Sequence, residues 1–137
     1  MLQVNRKTEY AIRVLLSLTH LAPHEKTSGD QLQADTGVPM AFLRRILAEL
    51  TQAGMLDSSP GRHGGVRLGR DPAQINLRQV LEVMDGPVVL SKCMSEHDTC
   101  PYGEKCPLRP AWQRAQDAML REMEATTIAQ LAAELNA

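Results

Sequence analysis

Three cysteines, Cys93, Cys100 and Cys106, fall in one short stretch of this sequence with the spacing Cys-x6-Cys-x5-Cys. Thiolates are soft donors and suit iron–sulfur clusters. The surrounding segment 91–107 is polar, shows no hydrophobic period and reads as a loop, which lets separate thiols converge. Lys92 and Lys105 flank two of the thiols and favour the reactive thiolate form. Pro101, Gly103 and Pro107 bend the backbone. Three uses compete on these residues: a cluster, a metal-free thiol switch in which Cys100 and Cys106 pair, or inert buried thiols. Zinc fits less well, because a closed tetrahedral site normally includes a tighter Cys-x2–4-Cys pair. An odd number of cysteines also argues against a closed disulfide framework. His97 lies inside the segment as a further possible ligand, its plainer role being a solvated loop histidine.

A second set of residues suits phosphate and base edges. Arg44 and Arg45 are adjacent, so on a helix they diverge by about 100°. One can reach a base, ideally guanine through paired bonds, and the other a phosphate. Downstream lie Arg62, His63, Gly64, Gly65 and Arg67. Glycines there let backbone approach a phosphate or a narrow groove, where arginine is favoured. Taken singly, the arginine pair is a solvated helical face and the glycine run an ordinary hairpin turn. Together they point to DNA.

Elements that position these residues can be read from periodicity. Residues 7–21 carry Tyr10, Ala11, Val14, Leu15 and Leu18 at helical spacing, with Thr8 as cap and Pro23 as stop. Ser28 opens a second helix, with Gln31 completing a capping box, and Gly37 closes it. Pro39 occupies the first position of a third helix, whose apolar face is Phe42, Leu43, Ile46, Leu47 and Leu50 and whose end is Ala53-Gly54. This pair forms a helix-turn-helix. Its second helix presents Pro39, Met40, Ala41, Arg44 and Arg45 at the reading end, with Ser28 at the start of the first. Two short strands around the glycine loop make a β-wing. A short helix covers 76–84. Pro110 then opens one long helix to about Leu135, striped by Trp112, Met119, Leu120, Met123, Leu131 and Leu135. The expected class is mainly α: a winged helix-turn-helix domain (1–86), a cysteine-rich cluster loop (87–109) and a dimerisation helix (110–137).

Composition narrows the classes further. The chain has 137 residues and a net charge of −1, so no global basic signal exists. Charge is uneven, however: residues 1–72 carry a small positive excess and 73–137 a negative one. A local basic face is what counterion release from phosphates requires. Only four aromatics occur, Tyr10, Phe42, Tyr102 and Trp112, which favours an aliphatic, Met-rich helical core. The apolar stretch 11–22 contains Arg13 and His20 and is too short to span a bilayer, so a cytoplasmic protein with reduced thiols is expected. No Cys-x-x-Cys, phosphate loop or Ser-His-Asp order suggests an enzyme or electron carrier, and no small-molecule substrate is expected.

Several segments carry a resemblance: Thr8-Glu-Tyr-Ala-Ile-Arg-Val-Leu-Leu, Val38-Pro-Met-Ala-Phe-Leu-Arg-Arg-Ile-Leu-Ala-Glu-Leu, Ala53-Gly-Met-Leu and Gly61-Arg-His-Gly-Gly-Val-Arg-Leu. With the cysteine loop and last helix, the chain resembles the iron–sulfur winged-helix transcription regulators that include IscR and NsrR. That resemblance moves the cluster ahead of the thiol switch. It implies a homodimer with crossing C-terminal helices, a palindromic double-stranded operator and, most often, repression. The first cysteine gap is one residue longer than is typical of the family. The histidine that serves IscR as fourth ligand is replaced by Arg109, whereas Glu9 matches the acidic ligand that NsrR supplies from the other subunit. The plainer role of Glu9 is a first-turn carboxylate favourable to the helix dipole. A carboxylate fourth ligand is labile and reactive toward small molecules and oxidants, and lack of the IscR-type histidine favours, by the resemblance, a four-iron over a two-iron cluster sensing nitric oxide, redox stress or iron and cluster supply. Release of Glu9 would then shift the recognition helices. A cluster-free, thiol-based regulator of the same fold is the alternative.

Overall fold

Helix α1 (Arg6–Leu18) begins at Asn5, whose extended backbone and Oδ1, accepting from the Thr8 N–H at 2.9 Å, cap it. Asn5 thus takes the role expected of Thr8, which sits inside the first turn and is buried. Past Leu18 the chain tightens into i→i−3 bonds, from Thr19 N–H to Leu16 O and from Leu21 N–H to Leu18 O, so the helix stops well before Pro23. The computed structural model describes residues 3–91, 94, 101–102 and 105–137.

Helix α2 (Gly29–Thr36) is capped by Ser28, whose Oγ accepts from Gln31 N–H at 3.1 Å. The Gln31 side chain turns away to Asp35 at 2.8 Å, so only half of the expected box closes. Gly37, at φ +71°, ends α2 in the left-handed conformation that a side chain would strain. Helix α3 (Met40–Gln52) follows directly. Pro39 serves as its N-cap with extended ψ rather than as its first helical residue, and its carbonyl accepts from Leu43 N–H at 2.9 Å. Leu43, Ile46 and Leu50 are fully buried against Ala11, Val14, Leu15 and Leu18 of α1 and Leu32 of α2.

Strands β1 (Leu56–Ser59) and β2 (Gly65–Leu68) pair antiparallel, with Leu56 opposite Leu68 and Ser59 opposite Gly65. Thr27 adds an unforeseen bridge on the other edge of β2. It exchanges backbone bonds of 3.0 and 2.8 Å with Val66, which pins the wing to the start of α2. A 3-10 turn (Pro72–Gln74) leads to helix α4 (Leu77–Asp85), capped by reciprocal bonds between Asn76 and Gln79.

The C-terminal run expected as one helix is two: α5 (Leu108–Ala125) and α6 (Ile128–Leu135). The backbone between them is claimed elsewhere. Leu77 N–H donates to Thr126 O at 3.0 Å, and Ile128 N–H donates to Ile75 O at 2.8 Å. Thr127, in extended conformation, then recaps α6 through a box with Gln130. Ile128 is fully buried and Leu131 packs against the same core, so α6 belongs to the body and not to a projecting arm. Exposed apolar residues on α5, Leu108 and Trp112, remain at its outer end. Arg78 of α4 reaches α5 by bonding Glu124 and also bonds Glu82 on its own helix, and these bonds, that to Glu82 foremost, raise its guanidinium pKa. Among the described residues no helix is long and apolar enough to cross a membrane.

Because α6 closes the core, Ile128→Ala is expected to lower stability by about 2–5 kcal/mol, as large-to-small core changes do. The urea midpoint measures this. A loss below about 1 kcal/mol, in the range of surface changes, would mark α6 as peripheral.

Candidate nucleic-acid interface and cysteine segment

Helix α3 turns three buried residues inward, and at 100° per residue Ala41 and Ala48 fall on the opposite side. Arg44 and Arg45 straddle that line at about 50° to either side and are exposed, neither forming an ion pair with a described residue. Small side chains along the centre leave that face low, and the two guanidinium groups splay toward opposite flanks. Pro39 is exposed, whereas Met40 is half-buried against the core. Ser28 is exposed with its hydroxyl oxygen engaged as the α2 cap.

At the wing, Arg62 and His63 are exposed at the tip. Arg67 is not free in the same way. It lies directly across the ladder from Asp57 and bonds its carboxylate at 2.8–2.9 Å. Lys26 is likewise committed to the wing, bonding Ser59 Oγ at 2.6 Å. Gly64 and Gly65 serve the turn itself. A Cβ on Gly64 would meet Ser59 O at 2.1 Å, and one on Gly65, at φ +144°, would meet Thr27 O at 2.7 Å. The close approach these glycines permit is first of all that of the chain to itself.

Sequence reasoning missed the ties between α1 and α3. Lys7 Nζ sits 2.9 and 2.8 Å from the two carboxylate oxygens of Glu49. Tyr10 meets Phe42 edge to face at 5.3 Å. Arg13 lies over the Tyr10 ring, 5.3 Å from its centroid, and donates to Thr36 O in the turn at 3.3 Å. Two of the four aromatics in the chain form this contact, and that scarcity was the available signal.

Cys106 is half-buried and stands directly before Pro107, the N-cap of α5. Cys93, Cys100 and His97 lie outside the described residues. Among the described residues no group of three or more His, Cys, Asp or Glu comes together. Glu9 stands in the first turn of α1, exposed, with no hydrogen-bond or ion-pair partner for its side chain among the described residues, so its carboxylate is available as a donor. Three thiols and one carboxylate form a donor set that iron accepts. Upstream, the linker is anchored to α5, where Gln116 Oε1 accepts from Leu90 N–H at 3.0 Å.

Known proteins place this architecture. The HTH-type transcriptional regulator NsrR of Geobacillus kaustophilus is 35% identical over 131 residues, covering 95% of this chain and 89% of that protein. The structure of CymR, the global cysteine regulator of B. subtilis, superposes with a TM-score of 0.78 at 24% identity, covering 98% of both chains. T. potens IscR superposes at 0.77 with 19% identity, covering 98% of this chain and 88% of that one. These two likenesses establish the fold, and the relatives are regulators rather than enzymes. A family model described as Rrf2, iron-dependent transcriptional regulator, matches residues 4–134, and the chain therefore belongs to the Rrf2 family of transcriptional regulators.

Proposed function

We propose that this regulator binds a palindromic operator as a homodimer and represses from it, with Cys93, Cys100 and Cys106 of one subunit and Glu9 of the partner subunit holding a four-iron cluster. When bound, such a cluster supplies iron that reacts with nitric oxide and oxidants or is lost when iron is scarce. The chain's own residues turn that chemistry into a DNA response. Glu9 lies between Lys7, which pairs with Glu49 of α3, and Tyr10, which packs on Phe42 of α3. This placement is the observation that carries the proposal: the helix bearing the labile carboxylate is fastened on both sides to the recognition helix. Movement of α1 on release of Glu9 therefore turns α3 and alters the fit of Ala41, Arg44 and Arg45 to the operator. Arg62 and His63 of the wing contribute phosphate or groove contacts outside the half-site core.

The test is anaerobic purification with visible absorbance and iron count, followed by operator titration of the iron-loaded and iron-free protein. Different affinities or footprints are expected, since allosteric control requires a difference in binding free energy between states. Equal affinities and footprints would sink the proposal. Iron-free protein whose operator affinity still responds to thiol oxidation would transfer control to the cysteines alone. Glu9→Ala is expected to keep the fold and shorten the lifetime of the visible absorbance under air. An unchanged lifetime would move the fourth ligand to His97 or to an exogenous group.

A further inference from the structure

A cavity of about 370 Å³ lies between the start of α1, the end of α4, the linker 86–90 and the inner half of α5. Its volume falls within the roughly 300–1,000 Å³ range of ligand sites. Leu81, Val89, Met119 and Met123 give it apolar walls, and the flexible methionines adapt to varied shapes.

Thr8 also lines it, 1% exposed, and its Oγ1 has no hydrogen-bond partner among the described residues. Three other threonines among the described residues differ in this. The hydroxyls of Thr19, Thr36 and Thr126 all donate to a carbonyl one turn back, at 2.6, 2.6 and 3.0 Å. Near Thr8, Asn5 Oδ1 is taken by the N–H of Thr8 itself. A buried hydroxyl left unpaired is costly, and a bound polar group relieves that cost.

Charge selects the kind of group. Asp85, the exposed last residue of α4, is among the lining residues, where the negative end of the helix dipole adds to its charge. It forms no ion pair with a described residue, and no Lys or Arg is among the lining residues.

We infer that this cavity binds a small apolar amine as an effector, its ammonium at Asp85 and the end of α4, its apolar body between Leu81 and the two methionines, and its polar hydrogens in reach of the Thr8 hydroxyl. The site joins the residue preceding Glu9 to the linker that enters the cysteine segment. An occupant braces those two elements and thereby biases operator affinity. That consequence rests on the function proposed above; the binding itself does not.

Calorimetry on the full-length chain at pH 7 tests it with three probes of similar size: 2-phenylethylamine, 2-phenylethanol and 3-phenylpropionate. The amine is expected to bind about threefold or more tighter than the alcohol, the scale of an exposed charge pair, and the acid weakest of all. Asp85→Asn should remove the advantage of the amine, and Thr8→Val should weaken amine and alcohol alike. Leu81→Trp and, on the more exposed linker, Val89→Trp should fill the cavity and abolish binding while circular dichroism stays unchanged. No binding of any probe to the unmodified chain, an acid that binds as well as the amine, or binding that survives both tryptophan variants overturns the inference. So does amine binding that weakens as protein concentration rises, which would mark a second copy of the chain as the occupant. Amine binding with unaltered operator affinity keeps the site and overturns its regulatory role, whatever the iron content.

Discussion

Replacing both Arg44 and Arg45 by alanine is expected to weaken operator binding at least about a hundredfold while leaving stability within about 0.5 kcal/mol, the usual span for exposed surface changes. The size follows from what each guanidinium can do. A paired base contact contributes about 1–3 kcal/mol and a phosphate contact somewhat less. A palindromic dimer loses each contact twice. Both side chains are exposed and neither pairs with a described acid, so nothing inside the fold depends on them. The single variants separate their roles. Loss of the base-reading arginine relaxes preference at one operator position. Loss of the phosphate-bound one weakens all sequences alike and lowers the salt slope by about one unit. Gel-shift or anisotropy titration at several salt concentrations against an operator and scrambled DNA measures both. Unchanged affinity in the double variant would mean that α3 does not enter the groove by this face. Arg67→Ala should matter less to DNA, because its guanidinium already pairs with Asp57 across the wing.

Much of this frame was legible from sequence because local signals agreed. Helix α3 has a clean 3.6-residue period between Pro39 and Gly54, and Ser28, Gly37 and the glycine loop mark their ends correctly. What was not legible depended on partners distant in sequence. Nothing in Thr126-Thr127 announces a break as loudly as proline would. The break exists because Ile75 and Leu77 take the backbone bonds there, and only the folded chain brings them together. The Thr27–Val66 bridge has the same origin, as does the commitment of Arg67, which follows from strand register and not from its local sequence. At the site, composition identified the basic wing but not which of its charges are free. Tyr10, Arg13, Lys7 and Glu49 read as parts of two amphipathic helices, and their meaning as ties appears only when α1 lies across α3. The cysteine segment gave chemistry without geometry, since a polar loop has no period from which to infer where its thiols point.

Cys106→Ser is expected to bring iron content and visible absorbance to background and to abolish the response of operator binding to nitric oxide or peroxide. Serine preserves size but offers a hard, weakly acidic oxygen in place of a soft thiolate, so it is a poor ligand for an iron–sulfur cluster. The thiol is half-buried at the foot of α5, beside the exposed Lys105. Its loss should leave circular dichroism and the urea midpoint at the values of iron-free wild type, because no described interaction of the fold uses it. Comparison with Cys93→Ser then decides between the two ways the cysteines can act. A cluster needs all three thiols, so both variants should fail equally and the unmodified protein should carry iron. A Cys100–Cys106 disulfide switch needs no Cys93, so Cys93→Ser would keep an oxidant response that Cys106→Ser loses, and wild type would respond without iron. The same pair of variants also tests the role of α1. If Cys106→Ser locks the regulator in the operator affinity of iron-free wild type, and Glu9→Ala drifts to that affinity as its absorbance decays, the carboxylate and the thiols act on one equilibrium, transmitted through Lys7–Glu49 and Tyr10–Phe42.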